Sequence, residues 1–323
     1  MRILLTGAGG CVGKSTLAEL VRRGHRVTCY ELDNKSNRDL ATQYGEQVDF
    51  FWGDLRRGNA LVDIIKAQDA IIHLAAVLPP NTERHPKMAQ EVNVEGTRRI
   101  IEAAQLSRIK PLLIFASSMA VYGPKQYAGV VPADAPVIGT DNYSRHKIAG
   151  EKMVRQSTVP WVIVRLAAVL EISDYRKGTF ANLKKLFDVA PTNKMEYISP
   201  RDVSMALVNT LVVPDARMKI LNIGGGEGCQ ITQREMNQCI CSAFGIKIKP
   251  SEIGQLDFYT HWLDTSESEQ LLHYQQDKFS DFANSMKRML WPLRWFAWPL
   301  RPLIKFAILR VSAIEGEMES SSS

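Results

Sequence analysis

The chain has 323 residues, of which 45% are hydrophobic and 23% are charged, a composition ordinary for a globular protein. This length suits one large α/β domain with a smaller appended part, or two domains. Its five cysteines are scattered, and Cys239 and Cys241 form a C-x-C pair without a second pair of ligands, so no metal site is expected. Few thiols and an N-terminus without a signal-peptide pattern predict a cytoplasmic protein.

The net charge of +6 arises in one segment near the C-terminus. Residues 282–314 contain no Asp or Glu, and their six cations equal the net charge of the whole chain: Lys287, Arg288, Arg294, Arg301, Lys305 and Arg310. The charges of the remaining sequence therefore balance. Nucleic-acid binding by the main body is not expected, since such binding needs a basic surface.

Apolar runs alternate with helical patterns over the first two thirds of the sequence. We predict six strands, at Arg2–Leu5, Arg26–Glu31, Val48–Trp52, Ala70–Leu74, Leu112–Ala116 and Val162–Leu166. Helical patterns follow the first strand as far as Arg23 and cover Asn59–Lys66 and Met88–Leu106. Strands that alternate with helices at this spacing predict an α/β fold with a doubly wound parallel sheet.

This alternation is interrupted between residues 173 and 199 and again after residue 224. Residues 1–172 are therefore predicted to form the main domain, to which residues 200–224 return. Residues 173–199 and 225–281 are predicted to form a smaller substrate-binding part, because such segments gather beyond the carboxyl ends of parallel strands. Residues 282–314 are a basic, aromatic, amphipathic segment, and residues 315–323 are expected to form a disordered tail.

A glycine-rich loop, Thr6-Gly7-Ala8-Gly9-Gly10-Cys11-Val12-Gly13, joins the first strand to the first helix. This is the context that a dinucleotide-binding loop requires. Gly7 permits a tight turn, and Gly9 or Gly10 lets the backbone approach phosphates. Gly13 allows close contact between helix and strand, and the helix N-terminus attracts the pyrophosphate.

The same loop is also similar to a P-loop, since Ala8 is followed after four residues by Gly13-Lys14-Ser15. In that alternative the protein is a P-loop nucleotide hydrolase, in which Lys14 contacts phosphates and Ser15 binds magnesium. The strict P-loop has glycine where Ala8 stands, and Glu31 ends the second strand about 20 residues beyond the loop. An acid at that position binds ribose hydroxyls and repels a 2′-phosphate, so NAD is favoured over NADP.

Further motifs follow the loop in a fixed order. They are Gly53-Asp54-Leu55, His73-Leu74-Ala75-Ala76, Asn93-Val94-Glu95-Gly96-Thr97, Ser117-Ser118-Met119-Ala120-Val121-Tyr122-Gly123, Tyr143-Ser144-Arg145-His146-Lys147 and Asn222-Ile223-Gly224-Gly225-Gly226. With the glycine loop, they resemble the motifs of the extended short-chain dehydrogenase/reductase family, also called the NAD-dependent epimerase/dehydratase family. The resemblance covers residues 1–235. It implies an NAD-binding Rossmann domain in residues 1–172 and a homodimer built on helices.

The resemblance also implies which residues bind the cofactor NAD. They are Gly7, Gly9, Gly10, Cys11, Val12, Gly13, Glu31, Asp54, Leu55, Leu74, Ala75, Ala76, Asn93, Tyr143 and Lys147. Asn93 is expected to fix backbone geometry, and His73 is assigned no chemical role. The catalytic set that the family pattern implies is Ser118, Tyr143 and Lys147, with Ser117 as the alternative serine.

The spacing of Tyr143 and Lys147 supports this chemistry, because residues four apart share one face of a helix. A phenol with a pKa of about 10 is a poor base at neutral pH. A neighbouring ammonium group and a cationic nicotinamide would both lower that pKa. Tyr143 could then take a proton from a substrate hydroxyl that Ser118 holds, while hydride passes to the cofactor.

Met119 and Ala120 stand where family members that dehydrate nucleotide sugars carry Asp and Glu. These side chains cannot transfer protons, so dehydration is disfavoured. Oxidation or reduction of a secondary alcohol or ketone remains, as does epimerisation through a transient ketone. The segment that follows Arg165 is short for a nucleotide-sugar site, which argues against such a substrate without excluding it. The substrate is therefore expected to be either a nucleotide sugar or a lipidic, sterol-like alcohol. A non-catalytic NAD-binding regulatory protein is the other alternative.

Residues 287–311 combine tryptophans with Lys and Arg. From residue 289 to residue 311 the sequence has three prolines and four charged residues, which argue against a membrane-spanning helix. This composition suits peripheral contact with a membrane. The alternative is that the aromatic side chains cover the substrate-binding part or form a dimer contact. Membrane contact would favour a lipidic substrate.

Overall fold

The computed structural model describes residues 1–58, 60–125, 127–171, 188–244, 256 and 258–296, with only the backbone described at 244 and 290–296. Three predicted features therefore lie outside the described residues. These are the first part of the substrate-binding segment 173–199, the basic aromatic segment beyond residue 296, and the tail 315–323. Among the helices that are described, none is long and apolar enough to cross a membrane.

Two sheets organise the described residues. Strands β1 to β10 are, in chain order, Arg2–Thr6, Arg26–Glu31, Val48–Trp52, Ala70–His73, Leu112–Ser118, Trp161–Leu166, Ala168–Val169, Lys194–Ile198, Lys219–Ile223 and Gln230–Thr232. Seven of them form a parallel sheet in the order β3-β2-β1-β4-β5-β6-β9. This confirms the predicted doubly wound fold. The chain reverses its direction of travel between β1 and β4, and a crevice opens there at the carboxyl ends of the strands.

The second sheet has three strands in the order β10-β8-β7. Strand β7, Ala168–Val169, lies before the boundary predicted at residue 172, so the smaller sheet begins earlier in the chain than the interruption of the sequence pattern indicated. Strand β9, Lys219–Ile223, was not among the six predicted strands. It completes the large sheet beside β6.

Helices cover the sheets. Helices α1 to α11 are Cys11–Arg22, Lys35–Tyr44, Leu61–Ile65, Asn81–Arg84, Pro86–Gln90, Thr97–Leu106, Asn142–Gln156, Pro200–Asn209, Gln233–Phe244, Ser266–Leu272 and Phe279–Phe296. The predicted helix Met88–Leu106 is divided by a π-helical segment, Glu91–Gly96. Such wide turns inside helices are frequent at functional sites. Here the wide turn carries Asn93, whose side chain is buried.

The large sheet is buried on both faces, as expected for a parallel sheet. Alternate residues of one strand enter different apolar layers: Ile3 and Leu5 of β1 pack on one side, and Leu4 packs on the other. A third cluster holds α11 against the small sheet through Phe282 and Met286. Helix α11 therefore continues across the boundary predicted between residues 281 and 282.

Candidate active site

A cavity of about 860 Å³ lies at the carboxyl ends of the central strands. It collects most of the predicted site residues, namely Gly7, Gly10, Cys11, Val12, Gly13, Glu31, Asp54, Leu55, Leu74, Ala75, Ala76, Ser118, Tyr143 and Lys147. Gly9 and Asn93 were also predicted to bind the cofactor but are not part of its lining. Gly9 instead packs against the side chain of Asn37.

The glycine loop has the close packing that its residues require. Gly7 has a φ of +80°, and a Cβ there would lie 2.7 Å from the backbone nitrogen of Ala75. A Cβ on Gly13 would overlap the carbonyl oxygen of Gly7, so α1 and β1 approach closely only because Gly13 has no side chain. Within the described residues, no side chain caps the N-terminus of α1. The backbone at this end of the helix fits a dinucleotide pyrophosphate.

Glu31 ends β2 beside this loop and is 8% exposed. One carboxylate oxygen accepts a hydrogen bond of 2.5 Å from the amide of Ala8, and the other accepts one of 3.3 Å from Asn37. Burial raises the pKa of Glu31 to about 7, although the loop amides oppose this shift. A carboxylate accepts about four hydrogen bonds, so Glu31 can hold the loop and still bind ribose hydroxyls.

Asp54 and Leu55 line the other wall of this end of the cavity. Asp54 is held by the guanidinium of Arg56, with N–O distances of 2.6 and 2.8 Å. That pairing lowers the pKa of the Asp54 carboxyl. The preceding Gly53 lies directly against the ring of Tyr30, where any side chain would overlap the ring.

The opposite end of the cavity brings together the predicted catalytic residues. Tyr143 lies in the first turn of α7, which Asp141 caps by accepting a hydrogen bond of 2.7 Å from the amide of Ser144. The hydroxyl of Ser118 lies close enough to that of Tyr143 to influence its pKa. Burial raises the pKa of Tyr143 to about 12, and the neighbouring Ser118 hydroxyl only partly opposes this. From the sequence, the neighbouring ammonium group was expected to lower the pKa of Tyr143. The protein by itself raises this pKa instead.

Lys147 lies one turn further along α7 and is buried. Its Nζ donates a hydrogen bond of 2.6 Å to the carbonyl oxygen of Ala116 and lies 5.8 Å from the centre of the Tyr143 ring. Burial lowers the pKa of Lys147 to about 8, and the charge of Glu151 opposes that shift. The ammonium group is thus held in place near the ring of Tyr143.

Glu151 is a site residue that the sequence analysis missed. It is buried one turn beyond Lys147 and accepts hydrogen bonds from Arg165 at 2.7 and 2.9 Å. It also accepts a hydrogen bond of 2.6 Å from the hydroxyl of Ser117. Ser117 is therefore used to hold Glu151, whereas Ser118 faces Tyr143. The spacing of four residues between Lys147 and Glu151 was the available sequence signal.

Arg165 connects the site to β9, the edge strand of the large sheet. Arg165 Nη1 donates to the hydroxyl of Tyr122 at 3.0 Å and to the carbonyl oxygen of Ala133 at 2.8 Å. The Tyr122 hydroxyl donates in turn to Asn222 at 2.7 Å, on the strand β9. Buried charges are tolerated when they are paired and hydrogen bonded in this way.

Two polar residues of the predicted motifs, Asn93 and His73, form hydrogen bonds inside the fold and do not line the cavity. Asn93 binds both polar groups of the Val77 backbone, accepting from its N–H at 2.7 Å and donating to its carbonyl oxygen at 2.9 Å. His73 is buried between the hydroxyls of Thr6 and Thr97, at 2.7 and 3.0 Å. Burial lowers the pKa of His73 to about 3, so the imidazole is neutral. This agrees with the absence of an assigned chemical role.

Lys14 and Ser15, the residues of the P-loop alternative, face a different part of the molecule. Both line a separate cleft between α1, α2 and α8, and neither lines the large cavity. The Ser15 hydroxyl donates to that of Ser204 at 3.3 Å. Their positions give no support to a phosphate site built on Lys14 and Ser15.

The fold and the cavity together define a dinucleotide-binding α/β protein with a serine–tyrosine–lysine constellation. Residues 3–170 match the model of the NAD dependent epimerase/dehydratase family. The chain belongs to this family, an extended short-chain dehydrogenase/reductase family of NAD-dependent enzymes, and NAD is its cofactor. The P-loop hydrolase alternative is therefore rejected.

Three of the similar proteins have names that refer to nucleotide sugars. The chain is 27% identical over 315 residues to an uncharacterized UDP-glucose epimerase, YtcB, of Bacillus subtilis, covering 89% of this chain and 95% of that one. It is 32% identical over 123 residues to the UDP-N-acetyl-alpha-D-glucosaminuronate decarboxylase of Bacillus cytotoxicus, but that match covers only 38% of each chain. The fold matches that of UDP-glucuronic acid 4-epimerase from Bacillus cereus, with a TM-score of 0.76, 20% identity, and coverage of 91% of this chain and 100% of that chain.

Proposed function

We propose that the chain catalyses hydride transfer between NAD and a secondary alcohol or ketone, with Ser118, Tyr143 and Lys147 as catalytic residues. The observation that carries this proposal is the meeting of the hydroxyls of Ser118 and Tyr143 beside the buried Lys147, in the cavity that the glycine loop lines. Neighbouring hydroxyls next to a fixed ammonium group suit proton transfer to and from a substrate oxygen.

In the direction of oxidation, Ser118 holds the substrate hydroxyl and Tyr143 accepts its proton. Because burial raises the pKa of Tyr143 to about 12, the phenolate needs nearby positive charge. Lys147 supplies one such charge, held by the Ala116 carbonyl. NAD supplies the hydride acceptor and a second positive charge when it is bound. Glu31 would bind the hydroxyls of its adenosine ribose, which favours NAD over NADP.

Epimerisation through a transient ketone is the second candidate, favoured by the epimerases among the similar proteins. Dehydration is disfavoured, since Met119 and Ala120 are buried, apolar residues directly after Ser118. Net NADH formation from an alcohol distinguishes oxidation from epimerisation, in which the cofactor is regenerated in each turnover.

The Tyr143→Phe variant tests the proposed chemistry. It removes the hydroxyl while keeping the ring, so we expect turnover to fall by at least about a hundredfold while the variant still binds NAD. Single-turnover absorbance at the NADH band measures hydride transfer, and calorimetry measures NAD binding. Wild-type turnover in the variant would overturn the proposal. NAD binding without hydride transfer to or from any alcohol or ketone would favour a regulatory protein.

We also propose a cytoplasmic enzyme that contacts a membrane surface through the basic aromatic segment 287–311. Lys287 and Arg288 are exposed on α11, while Phe282 and Met286 on the same helix are buried. Flotation with anionic vesicles should recover the full chain but not a chain that ends at residue 296; equal recovery would reject the contact. Light scattering tests the homodimer that the family resemblance implies.

A further inference from the structure

The segment Val77–Pro80 lies beside the catalytic turn of α7. Asn93, which binds the Val77 backbone, lies 3.4 Å from the ring of His146, the residue before Lys147. Beyond the segment, Glu83 accepts hydrogen bonds of 2.9 and 2.6 Å from the backbone and side chain of Asn142, the residue before Tyr143. Contacts on both sides thus tie this segment to the two catalytic residues of α7.

The residues that this segment and the stretch from the end of β6 to β7 contribute to the cavity lining are apolar. We call them the apolar wall, which consists of Val77, Leu78, Pro79, Leu166, Ala167 and Val169. Leu166 is the register partner of Ser118 on the neighbouring strand β5. One part of the wall therefore adjoins Ser118, and the other part lies beside the turn of α7 that carries Tyr143. Asn81 is the polar residue that adjoins it in the cavity lining.

The backbone of the segment offers few polar groups to a ligand. The N–H and carbonyl of Val77 are bound by Asn93, and the carbonyl of Leu78 accepts a hydrogen bond of 2.9 Å from the amide of Asn81. Prolines 79 and 80 have no N–H. A sugar ring placed here would bury hydroxyls without partners, which is unfavourable.

The described cations of the cavity are already engaged. Arg56 is paired with Asp54, and Lys147 donates to the carbonyl of Ala116. Leu78 is 56% exposed and lines the cavity, so its side chain is accessible to a ligand there. Apolar groups beside the reacting atoms are suited to bind hydrocarbon.

We propose that the substrate is an uncharged secondary alcohol or ketone whose hydrocarbon frame packs on the apolar wall. This inference rests on the proposed function, because the wall is defined around the hydroxyls of Ser118 and Tyr143. It selects the lipidic, sterol-like class from the two substrate classes that the sequence left open. It also separates the chain from the nucleotide-sugar proteins that it resembles.

A homologous series of 4-alkylcyclohexanols, from methyl to butyl, tests the wall on the full-length protein loaded with NADH. An alcohol cannot transfer hydride to NADH, so calorimetry reports binding alone. We expect the dissociation constant to fall by about fourfold for each added methylene. UDP-glucose and UDP-glucuronic acid, measured in the same way, should bind more weakly than every alcohol of the series.

Leu78→Asn is the matched variant, with Leu106→Asn as its control. Leu106 is 72% exposed at the end of α6 and is not part of the cavity. Leu78→Asn should weaken binding of the butyl compound by about tenfold, while Leu106→Asn leaves it unchanged. Equal effects of the two variants, no gain along the alkyl series, or tighter binding of a UDP-sugar would each overturn the apolar substrate.

Hydride transfer, measured separately on the NAD-loaded protein, distinguishes the two proposals. A gain along the alkyl series without NADH formation from any alcohol would support the apolar wall and refute the proposed chemistry. NADH formation from UDP-glucose alone, lost in Tyr143→Phe, would support the proposed chemistry and overturn the apolar substrate.

Discussion

Replacement of Glu151 by glutamine should show how the buried ion pair controls the catalytic lysine. Glu151 follows Lys147 by one helical turn and is the anion that opposes the loss of its proton. Two unit charges about 6 Å apart interact by about 3 kcal/mol at an effective dielectric constant of about 20. Arg165 lies within 2.9 Å of the same carboxylate, and its positive charge remains in the variant. We therefore expect the pKa of Lys147 to fall by about two units.

The expected result is a shift of the pH profile rather than simple loss of activity. Burial already lowers the pKa of Lys147 to about 8, so a further fall removes the proton from most molecules at pH 8. The upper pH limb of kcat/KM in Glu151→Gln should move down by about two units, and the rate at pH 8 should fall by about fiftyfold. Steady-state rates from pH 6 to pH 10 measure this shift.

The same substitution also leaves Arg165 without its carboxylate partner. Breaking a buried pair in this way destabilises a protein by about 3–5 kcal/mol. A double variant, Glu151→Gln with Arg165→Met, should regain much of that stability, because no unpaired charge remains. Its upper pH limb should lie between those of the single variant and the wild type, because the repulsion by Arg165 is also removed. Urea unfolding measures the stability. A wild-type pH profile in Glu151→Gln itself would refute control of Lys147 by Glu151.

Three further predictions concern other residues in and around the site. Ser118→Ala should lower kcat by about 10²- to 10³-fold, whereas Ser117→Ala should cost about 1 kcal/mol of stability and leave the pH profile in place; equal kinetic effects would contradict these separate roles. Because the pKa of Glu31 is raised to about 7, affinity for NAD should rise as the pH increases through 7 and the carboxylate ionises, and calorimetry should find no such dependence in Glu31→Gln. Asn93→Ala should destabilise the protein by about 1–3 kcal/mol in urea unfolding, since both polar groups of Val77 lose a partner, and an unchanged midpoint would argue against this role.

The sequence predicted the fold because its signals were local. Apolar runs such as Ala70–Leu74 and turns such as the glycine loop depend on neighbouring residues, and six strands were found in this way with their ends within two residues of those observed. Strand β9, Lys219–Ile223, was missed because its run is short and contains Lys and Asn. The π-helical turn at Asn93 was missed because its apolar pattern continues that of an ordinary helix.

The buried network could not be predicted in the same way, since its members meet only in the folded chain. Tyr122 and Asn222 are 100 residues apart, and Arg165 reaches Glu151 from a different element. No pattern within one helix or strand specifies such pairs. The apolar wall is likewise assembled from the segment after β4 and the stretch from the end of β6 to β7.

The two serines at the end of β5 show how local geometry and distant contacts combine. Successive residues of a strand point to opposite faces, so Ser117 and Ser118 cannot share one partner. Ser117 continues the face of Phe115, which packs against Gly150 of α7, and its hydroxyl reaches Glu151 on that helix. Ser118 is left at the cavity with Tyr143. Alternation therefore separates one serine from the other, but the position of α7 decides which of them faces the substrate.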